Sequence, residues 1–169
     1  LLLSAPLVDL PLVVDADALN VLAQTPQWWE RLSENAILTP HPGEMGRLLG
    51  RPIDEVQAGR IKVARDAASQ WEKTVVLKGA HTVVSSPEGL ASLSPFANPG
   101  LSSAGTGDVL SGVIVGLLAQ GLSLLQAARL GVYLHAGVGE EVAAEMGDAG
   151  MLAGDLLDNI PRWLKRMKE

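Results

Sequence analysis

Short runs of apolar and β-branched residues alternate with segments of helical composition along this 169-residue chain. Three runs of strand length lie at residues 12–15, 36–39 and 74–77, and helical segments separate them. Residues 82–85 and 90–94 flank a Pro-Glu-Gly turn and predict a hairpin-like pair of strands. Strands that alternate with helices indicate a mostly parallel sheet covered by helices. The alternation therefore predicts an α/β fold.

The predicted helices differ in how much of their surface is apolar. Residues 44–49 predict a short helix, residues 54–71 a longer helix with one apolar face, and residues 155–168 an amphipathic helix at the end of the chain. By contrast, the helices predicted at residues 108–119 and 124–146 are apolar on almost every side. We expect these two to lie between layers or at a subunit contact.

The composition excludes several classes of protein. With 19 acidic and 13 basic residues the chain has a net charge of −6, which argues against a general nucleic-acid or anionic-membrane surface. The absence of cysteine excludes thiolate chemistry and cysteine ligation of a metal. No apolar run reaches the roughly 18 residues of a membrane span. We expect one soluble, cytoplasmic domain over residues 1–169, with no nucleic-acid or membrane partner.

A glycine-rich segment at residues 98–108 leads directly into the first apolar helix. Glycine lets backbone N–H groups approach an anion, and the first turn of a helix exposes such groups at the positive end of the helix dipole. The spacing from Gly100 to Gly105 imitates a Walker loop, but Thr106 stands where that motif requires Lys. The segment therefore predicts a phosphate site around residues 105–107 whose positive charge comes from elsewhere in the chain.

Asp108 lies beside this predicted phosphate site. A carboxylate there repels phosphate, so its presence calls for a chemical role. An Asp kept ionised by the helix dipole suits a base that takes a proton from a hydroxyl while the oxygen attacks a phosphoryl group. The alternative is that Asp108 only caps the helix, as Asp commonly does. Spacing alone does not decide between the two roles.

Polar residues follow the ends of the predicted strands, and a parallel sheet would bring them to one edge. They are Asp15, Asp17 and Asn20 after the first strand, His41 and Glu44 after the second, and Lys78 and Gly79 after the third. Lys78 can reach a phosphate, Glu44 can hold hydrated Mg²⁺, and His41 can hydrogen-bond a ligand. For Lys78 taken alone, the alternative interpretation is a solvated lysine at the end of a strand. For His41 and Glu44 taken alone, the alternative interpretation is that they are turn and capping residues. His135 lacks metal-ligand spacing, and we interpret it as a packed or interfacial histidine.

Motifs along nearly the whole chain resemble those of the NAD(P)H-hydrate dehydratase family, which belongs to the ribokinase-like superfamily. The motifs are VDADALN at residues 14–20, TPHPGE at 39–44, LKG at 77–79 with Thr82, NPG at 98–100, GTGDVLSG at 105–112 and YLH at 133–135. The resemblance implies a ribokinase-like three-layer α/β/α fold with a mostly parallel central sheet. It also implies a carbon–oxygen lyase that uses ADP or ATP with Mg²⁺ to dehydrate NADHX or NADPHX. The ring hydroxyl is phosphorylated and phosphate is then eliminated.

The resemblance implies a role for each matching residue. Asp108 would activate the substrate hydroxyl, and residues 105–107 would form the anion hole. Nucleotide contacts are implied for Lys78, Gly79, Ala80, His81, Thr82, Asn98, Gly105, Thr106 and Gly107. Contacts with the hydrated dinucleotide are implied for Asn20, His41, Pro42, Gly43, Glu44 and Asp108, and Glu44 is also the implied metal ligand. We further expect a homo-oligomer.

Three departures from the family pattern bear on this interpretation. His41 replaces the Asn of the Asn-x-x-Glu element of ribokinase-like kinases, which favours the dehydratase branch over sugar or vitamin kinases. Ala97 replaces a usual Gly, and residues 102–104 replace a more typical Ala-Thr-Gly. Both of these changes add side chains near the expected phosphate.

The chain begins with Leu1 rather than Met, has no basic leading segment, and lacks the N-terminal βα units of the family. We therefore expect the C-terminal part of a ribokinase-like domain, in a longer polypeptide that can carry an epimerase domain before it. Two alternatives to the dehydratase stay open. One is a small-molecule kinase acting on a sugar or vitamin, and the other is a nucleotide-binding fragment that no longer catalyses.

Overall fold

The structure is a computed structural model, and it describes residues 10–167. Within this range the strands are β1 (Leu12–Val14), β2 (Ala36–Leu38), β3 (Thr74–Leu77), β4 (Val83–Ser85) and β5 (Ala91–Leu93). The helices are α1 (Asp17–Leu22), α2 (Pro42–Leu49), α3 (Ile53–Ala58), α4 (Arg60–Trp71), α5 (Thr106–Ala119), α6 (Leu124–Met146) and α7 (Ala153–Arg166), with 3₁₀ turns at Trp28–Glu30 and Pro99–Ser102. Apart from residues 54–71, the predicted elements are confirmed to within two residues at each end.

The described strands form a single mixed sheet in the order β1-β2-β3-β4-β5. The β1–β2 and β2–β3 pairs are parallel, whereas the β3–β4 and β4–β5 pairs are antiparallel. The prediction of a mostly parallel sheet is therefore wrong. The connections at residues 78–82 and 86–90 are too short for a helical crossover, so the chain has to turn back beside the strand it leaves.

The single helix predicted over residues 54–71 is also wrong, because Gly59 separates α3 from α4. Its φ of −131° and ψ of 36° lie outside the helical region. Glycine costs about 1 kcal/mol relative to Ala inside a helix, so it is a natural place for the break. The break puts Arg60 at the start of α4, where its side chain reaches the end of β3.

Helices cover both faces of the sheet because successive strand residues point to opposite sides. On one face, Val75 and Leu77 of β3 belong to a core shared with α1, α2 and α4. On the other, Val76 packs with Ile114 of α5 and Leu134 of α6. The far side of α5 exposes 49% of Val115, so its predicted position between layers is not confirmed for that face. None of the described helices combines the length and apolarity needed to cross a membrane.

Candidate active site

A cavity of about 560 Å³ lies where β2 and β3 end and α5 begins. Its walls come from the segment after β2, the turn after β3, the loop before α5, and α6. His41, Lys78, Gly107 and His135 are among its lining residues. Ligand sites for small molecules commonly have volumes of roughly 300–1,000 Å³. The cavity is therefore large enough for a nucleotide or a comparable ligand.

Lys78, Asp15 and Glu44 form what we call the strand-end cluster. Lys78 Nζ donates to Asp15 Oδ1 over 2.6 Å and lies 3.9 Å from Glu44 Oε2. The Lys78 side chain is only 19% exposed, so the alternative of a solvated lysine is wrong. Burial alone would raise the pKa of Asp15, but the hydrogen bond and charge of Lys78 and the hydroxyl of Ser111 hold that pKa below its ordinary value. The Asp15 carboxylate is therefore kept ionised, and it is paired with Lys78.

His41 and Glu44 form a capping box at the start of α2. The Nδ1 atom of His41 accepts hydrogen bonds from the N–H groups of Gly43 and Glu44, at 3.0 and 3.3 Å. Glu44 Oε2 accepts from the His41 N–H at 2.7 Å, and its Oε1 lies 3.3 Å from His41 Nε2. These bonds confirm the capping alternative for both residues. Because Nδ1 is an acceptor, the neutral ring carries its proton on Nε2.

The turn after β3 is held by Arg60, which the sequence analysis did not single out. One guanidinium nitrogen, NH2, donates to the carbonyl oxygens of Leu77 and Lys78, at 3.1 and 3.3 Å. Gly79 has a φ of +132°, and a Cβ there would lie 3.0 Å from Arg60 NH1. The Thr82 hydroxyl closes the turn by donating to Gly79 O at 3.0 Å. The available signal was an arginine on the apolar face of a predicted helix.

The glycine-rich segment presents backbone donors at the first turn of α5. Gly105 is the N-cap, with a left-handed φ of +84° that favours glycine. The N–H groups of Thr106 and Asp108 donate to Ser103 O and Gly105 O. Among residues 10–167, the N–H groups of Gly105 and Gly107 have no acceptor. This is the arrangement that binds anions at helix N-termini.

The strand-end cluster and the start of α5 meet at Gly107. A Cβ on Gly107 would lie 3.5 Å from Lys78 Nζ and 3.7 Å from Asp15 Oδ2. The ammonium group therefore lies beside Gly107, one of the two residues whose N–H has no acceptor among the described residues. Lys78 thus brings a positive charge to the glycine-rich segment, which has Thr106 where a Walker loop has its own Lys.

Asp108 is exposed in the first turn of α5, next to the lining residue Gly107. The helix has Gly105 as its N-cap and no side-chain capping bond, so the alternative that Asp108 caps the helix is wrong. Asp108 shares a helix face with Ser111, three residues further on, whose hydroxyl donates to Asp15 Oδ2 at 2.9 Å. Its carboxylate is exposed at the first turn of α5, next to Gly107.

His135 of α6 supports the start of α5 from behind. Its Nε2 lies 2.9 Å from Thr106 O, and only 8% of the residue is exposed. Burial lowers the pKa of His135 to about 4, although the hydrogen bond to the Thr106 carbonyl acts in the opposite direction. The ring is therefore neutral at pH 7 and donates from Nε2. The interpretation of a packed histidine is confirmed, and the residue also lines the cavity.

The structure brings most of the predicted nucleotide residues to the cavity. The predicted nucleotide residues that line the cavity are Lys78, Gly79, Ala80, Thr82, Asn98, Thr106 and Gly107. Two of the predicted substrate residues, His41 and Pro42, line it as well. Those outside the lining are Asn20, Gly43, Glu44, His81, Gly105 and Asp108. The side chain of Asn98 is engaged in the loop, accepting from the Gly100 N–H and donating to Gly139 O, each at 2.8 Å. Asn20 accepts a 2.8 Å bond from Arg47 Nε, away from the cavity.

Fold and site together define a class of protein. The chain is similar to the structure of a ribokinase-like superfamily protein from Enterococcus faecalis, with a TM-score of 0.78 and 28% identity over 92% of this chain and 52% of that one. It is thus an α/β protein of ribokinase-like fold. The family model described as NAD(P)H-hydrate dehydratase matches residues 2–162. The chain belongs to the NAD(P)H-hydrate dehydratase family.

Individual relatives agree with this assignment. The chain is 46% identical to a bifunctional NAD(P)H-hydrate repair enzyme of Moorella thermoacetica over 97% of this chain and 31% of that protein. It is 42% identical to an ADP-dependent (S)-NAD(P)H-hydrate dehydratase of Neisseria meningitidis over 93% of this chain and 54% of that one. The structure of an ADP/ATP-dependent NAD(P)H-hydrate dehydratase from Bacillus subtilis, co-crystallised with ATP and Mg²⁺, matches with a TM-score of 0.82 and 39% identity over 92% of this chain and 55% of that one. The chain therefore spans about a third to just over half of the length of these relatives.

Proposed function

We propose that this chain carries the nucleotide site and the catalytic base of an enzyme that dehydrates NADHX or NADPHX at the expense of ADP or ATP. The observation that carries the proposal is the position of the Lys78 ammonium beside Gly107, in the first turn of α5, where the N–H groups of Gly105 and Gly107 have no acceptor among the described residues. The family membership supports the same chemistry. Phosphate oxygens are the natural ligands of such a combination of charge and backbone donors.

The nucleotide would lie in the cavity with its terminal phosphoryl group against residues 105–107. There it would accept hydrogen bonds from the N–H groups of Gly105 and Gly107 and face the ammonium of Lys78. The turn that Arg60 holds after β3 would contact the rest of the nucleotide. Such fixed donors stabilise the charge that develops as a phosphoryl group is transferred, because they need no reorganisation during the step.

Asp108 would accept the proton of the ring hydroxyl as its oxygen attacks the terminal phosphorus. A new P–O bond forms to the ring while the phosphoanhydride bond breaks, releasing AMP from ADP or ADP from ATP. The C–O bond then breaks and phosphate leaves with the former hydroxyl oxygen. A proton is lost from the neighbouring carbon, which restores the dihydropyridine. The net reaction removes water from the hydrated ring and splits one phosphoanhydride bond.

The Glu44 carboxylate of the strand-end cluster fits a nucleotide-bound Mg²⁺. Proteins commonly hold this ion with one or two carboxylates, phosphate oxygens and water. Glu44 and Asp15 both face the same cation, Lys78 Nζ, and a carboxylate has more acceptor positions than the bonds found for Glu44 occupy. No larger group of acidic or His side chains suited to a metal occurs among residues 10–167. Glu44 would hold the ion, which neutralises phosphate charge when bound.

The remaining predictions concern the whole polypeptide. The His41 and Asn20 region would face the hydrated dinucleotide. Relatives such as the Moorella thermoacetica enzyme are described as bifunctional, which supports a second, epimerase domain in the full-length protein. A homo-oligomer and a cytoplasmic location stay predictions.

The proposal is tested by incubating the full-length protein with NADHX or NADPHX, ADP or ATP, and Mg²⁺. Recovery of the absorbance of the reduced nicotinamide ring is expected, and it should depend on both nucleotide and Mg²⁺. No recovery with either nucleotide would contradict the proposal. A stable phosphorylated product without elimination would instead indicate a small-molecule kinase. Nucleotide binding without any turnover would indicate a fragment that no longer catalyses.

A further inference from the structure

Asp15 directly follows β1, and its Oδ1 also accepts a 2.9 Å hydrogen bond from the N–H of Ala16, the N-cap residue of α1. Of the two carboxylates near the Lys78 ammonium, Asp15 is the nearer one. Its Oδ1 accepts from Lys78 Nζ at 2.6 Å, whereas Glu44 Oε2 is 3.9 Å away. Side-chain exposure is 13% for Asp15 and 19% for Lys78, so little water competes with the pair. The direction in which the ammonium points is therefore set mainly by Asp15.

The second carboxylate oxygen of Asp15 is also occupied. Ser111 Oγ donates to Oδ2 at 2.9 Å from the second turn of α5. Asp15 thus connects the end of β1 both to Lys78 at the end of β3 and to the helix that carries Gly107. The carboxylate cannot rotate without breaking one of these bonds, so the ammonium is held at a defined place relative to the start of α5.

Holding Lys78 in this way matters because a lysine side chain is long and flexible. An ammonium group has three protons, so Lys78 can keep its bond to Asp15 while it donates to a phosphate oxygen. A lysine that is already in place loses less conformational freedom when the transition state forms. A free lysine would have to be ordered during the reaction.

We propose that Asp15 is a positioning residue that holds the Lys78 ammonium against the start of α5, with Ser111 fixing the carboxylate. The inference rests on the proposed function, because it assigns Lys78 to the phosphoryl group being transferred. Asp15 does not touch the reacting atoms and acts only through Lys78.

The first test measures kinetics and nucleotide binding in the full-length protein. Asp15→Asn keeps an acceptor for Ser111 but removes the charge that holds Lys78. We expect kcat to fall about ten- to thirtyfold while the nucleotide dissociation constant changes less than about threefold, since the charge of Lys78 remains. Asp15→Glu should recover part of the loss, and Ser111→Ala should lower kcat only a few-fold. Asp54→Asn, an exposed Asp in the first turn of α3, is the matched control and should leave both constants unchanged.

A double variant separates positioning from a general loss of structure. In a Lys78→Met background, Asp15→Asn should lower kcat no further, because Asp15 acts only through Lys78. A wild-type kcat in Asp15→Asn, or losses in kcat that multiply in the double variant, would overturn the inference. So would an equal loss in kcat and in nucleotide affinity, which a merely structural role would produce.

A third measurement needs no turnover. Reductive methylation followed by mass spectrometry compares Lys78 with Lys62, whose side chain is 80% exposed and serves as an internal reference. Lys78 should react more slowly than Lys62 in the wild type and several-fold faster in Asp15→Asn, with Lys62 unchanged. Equal Lys78 labelling in both proteins would overturn the inference. A wild-type protein without turnover would contradict the proposed function, whereas the labelling would still report on the tie between Asp15 and Lys78.

Discussion

The strand-end cluster and the start of α5 form two sides of the proposed phosphate site, and they differ in whether their polar groups already have hydrogen-bond partners. In the cluster, the functional groups are side chains that already have partners, as in the pair of Lys78 with Asp15. At the start of α5, the functional groups are backbone N–H groups of Gly105 and Gly107 that have no acceptor among the described residues. A ligand must therefore share the first side with existing bonds, whereas it completes the second side. Variants on the two sides should consequently affect different steps.

The largest effect is expected for Asp108→Ala. Removal of a general base commonly lowers turnover by about 10²–10⁴-fold, and an exposed carboxylate has little part in holding the fold. The nucleotide dissociation constant should stay close to that of the wild type, because the backbone donors and Lys78 are unchanged. Steady-state kinetics and calorimetry measure the two quantities. Asp54→Ala, which removes an exposed carboxylate from the first turn of another helix, should change neither, and near-normal turnover in Asp108→Ala would contradict the role of base.

The two sides should also respond differently to acid. The pKa of His135 is lowered to about 4 in the folded protein, so between pH 6.5 and 4 the unfolded chain binds the additional proton and acid favours unfolding. The free energy of unfolding should fall by about 3 kcal/mol over this range. The pKa of Asp15 is also lowered, so its stabilising effect is present above the unfolded pKa of about 3.9 and is lost only as the pH falls through its folded value. Acid should therefore weaken the support of α5 by His135 first and the contribution of Asp15 later.

Urea unfolding at a series of pH values checks this order. His135→Asn should remove most of the pH dependence between pH 6.5 and 4, while the dependence below about pH 4 should remain. An unaltered slope in His135→Asn would contradict the assignment of this titration to His135.

A substitution at the point where the two sides meet tests whether the backbone donors bind the nucleotide. A Cβ on Gly107 would be in ordinary contact with Lys78 Nζ at 3.5 Å, so Gly107→Val should fold but fill the space expected for phosphate. Nucleotide affinity should fall at least tenfold, because a hydrogen bond to a charged group contributes about 1.5–3 kcal/mol. Gly154→Val is the matched control: Gly154 is also the second residue of its helix, α7, and a Cβ there would meet nothing within 4 Å. Equal affinities in the two variants would place the phosphate elsewhere.

Much of the site's location could be predicted from the sequence. Strands β1, β2 and β3 are parallel and bring Asp15, Glu44 and Lys78 to one edge of the sheet. Short apolar runs separated by helical segments had predicted this arrangement. The pairs they form could not be predicted. Lys78 is 63 residues from Asp15, and Ser111 is 96 residues from it, so no local pattern connects them.

The errors in the fold have local physical causes. The prediction of a mostly parallel sheet generalised from the first three strands, although the short connections after β3 and β4 allow only antiparallel pairs. The helix predicted across Gly59 followed an apolar periodicity that continues through the break between α3 and α4. The same periodicity counted Arg60 as part of a buried face. Arg60 holds the turn after β3 by donating to backbone carbonyl groups, and the spacing of apolar residues carries no information about such bonds.

The smallest effect is expected for Thr106→Val, which tests how the glycine-rich loop is kept open. The Thr106 hydroxyl lies 2.6 Å from Leu101 O and 2.8 Å from Ser103 O, and Val keeps the side-chain shape without the donor. The free energy of unfolding should fall by about 1 kcal/mol, the usual contribution of one hydrogen bond, and nucleotide affinity should fall a few-fold. Thr25→Val is the control, since its hydroxyl makes a single long 3.4 Å bond to Val21 O. If Thr106→Val lost stability but kept full affinity, the unpaired N–H groups would be held open by the glycines and by His135 alone, and the side-chain bonds of the loop would serve the fold rather than the site.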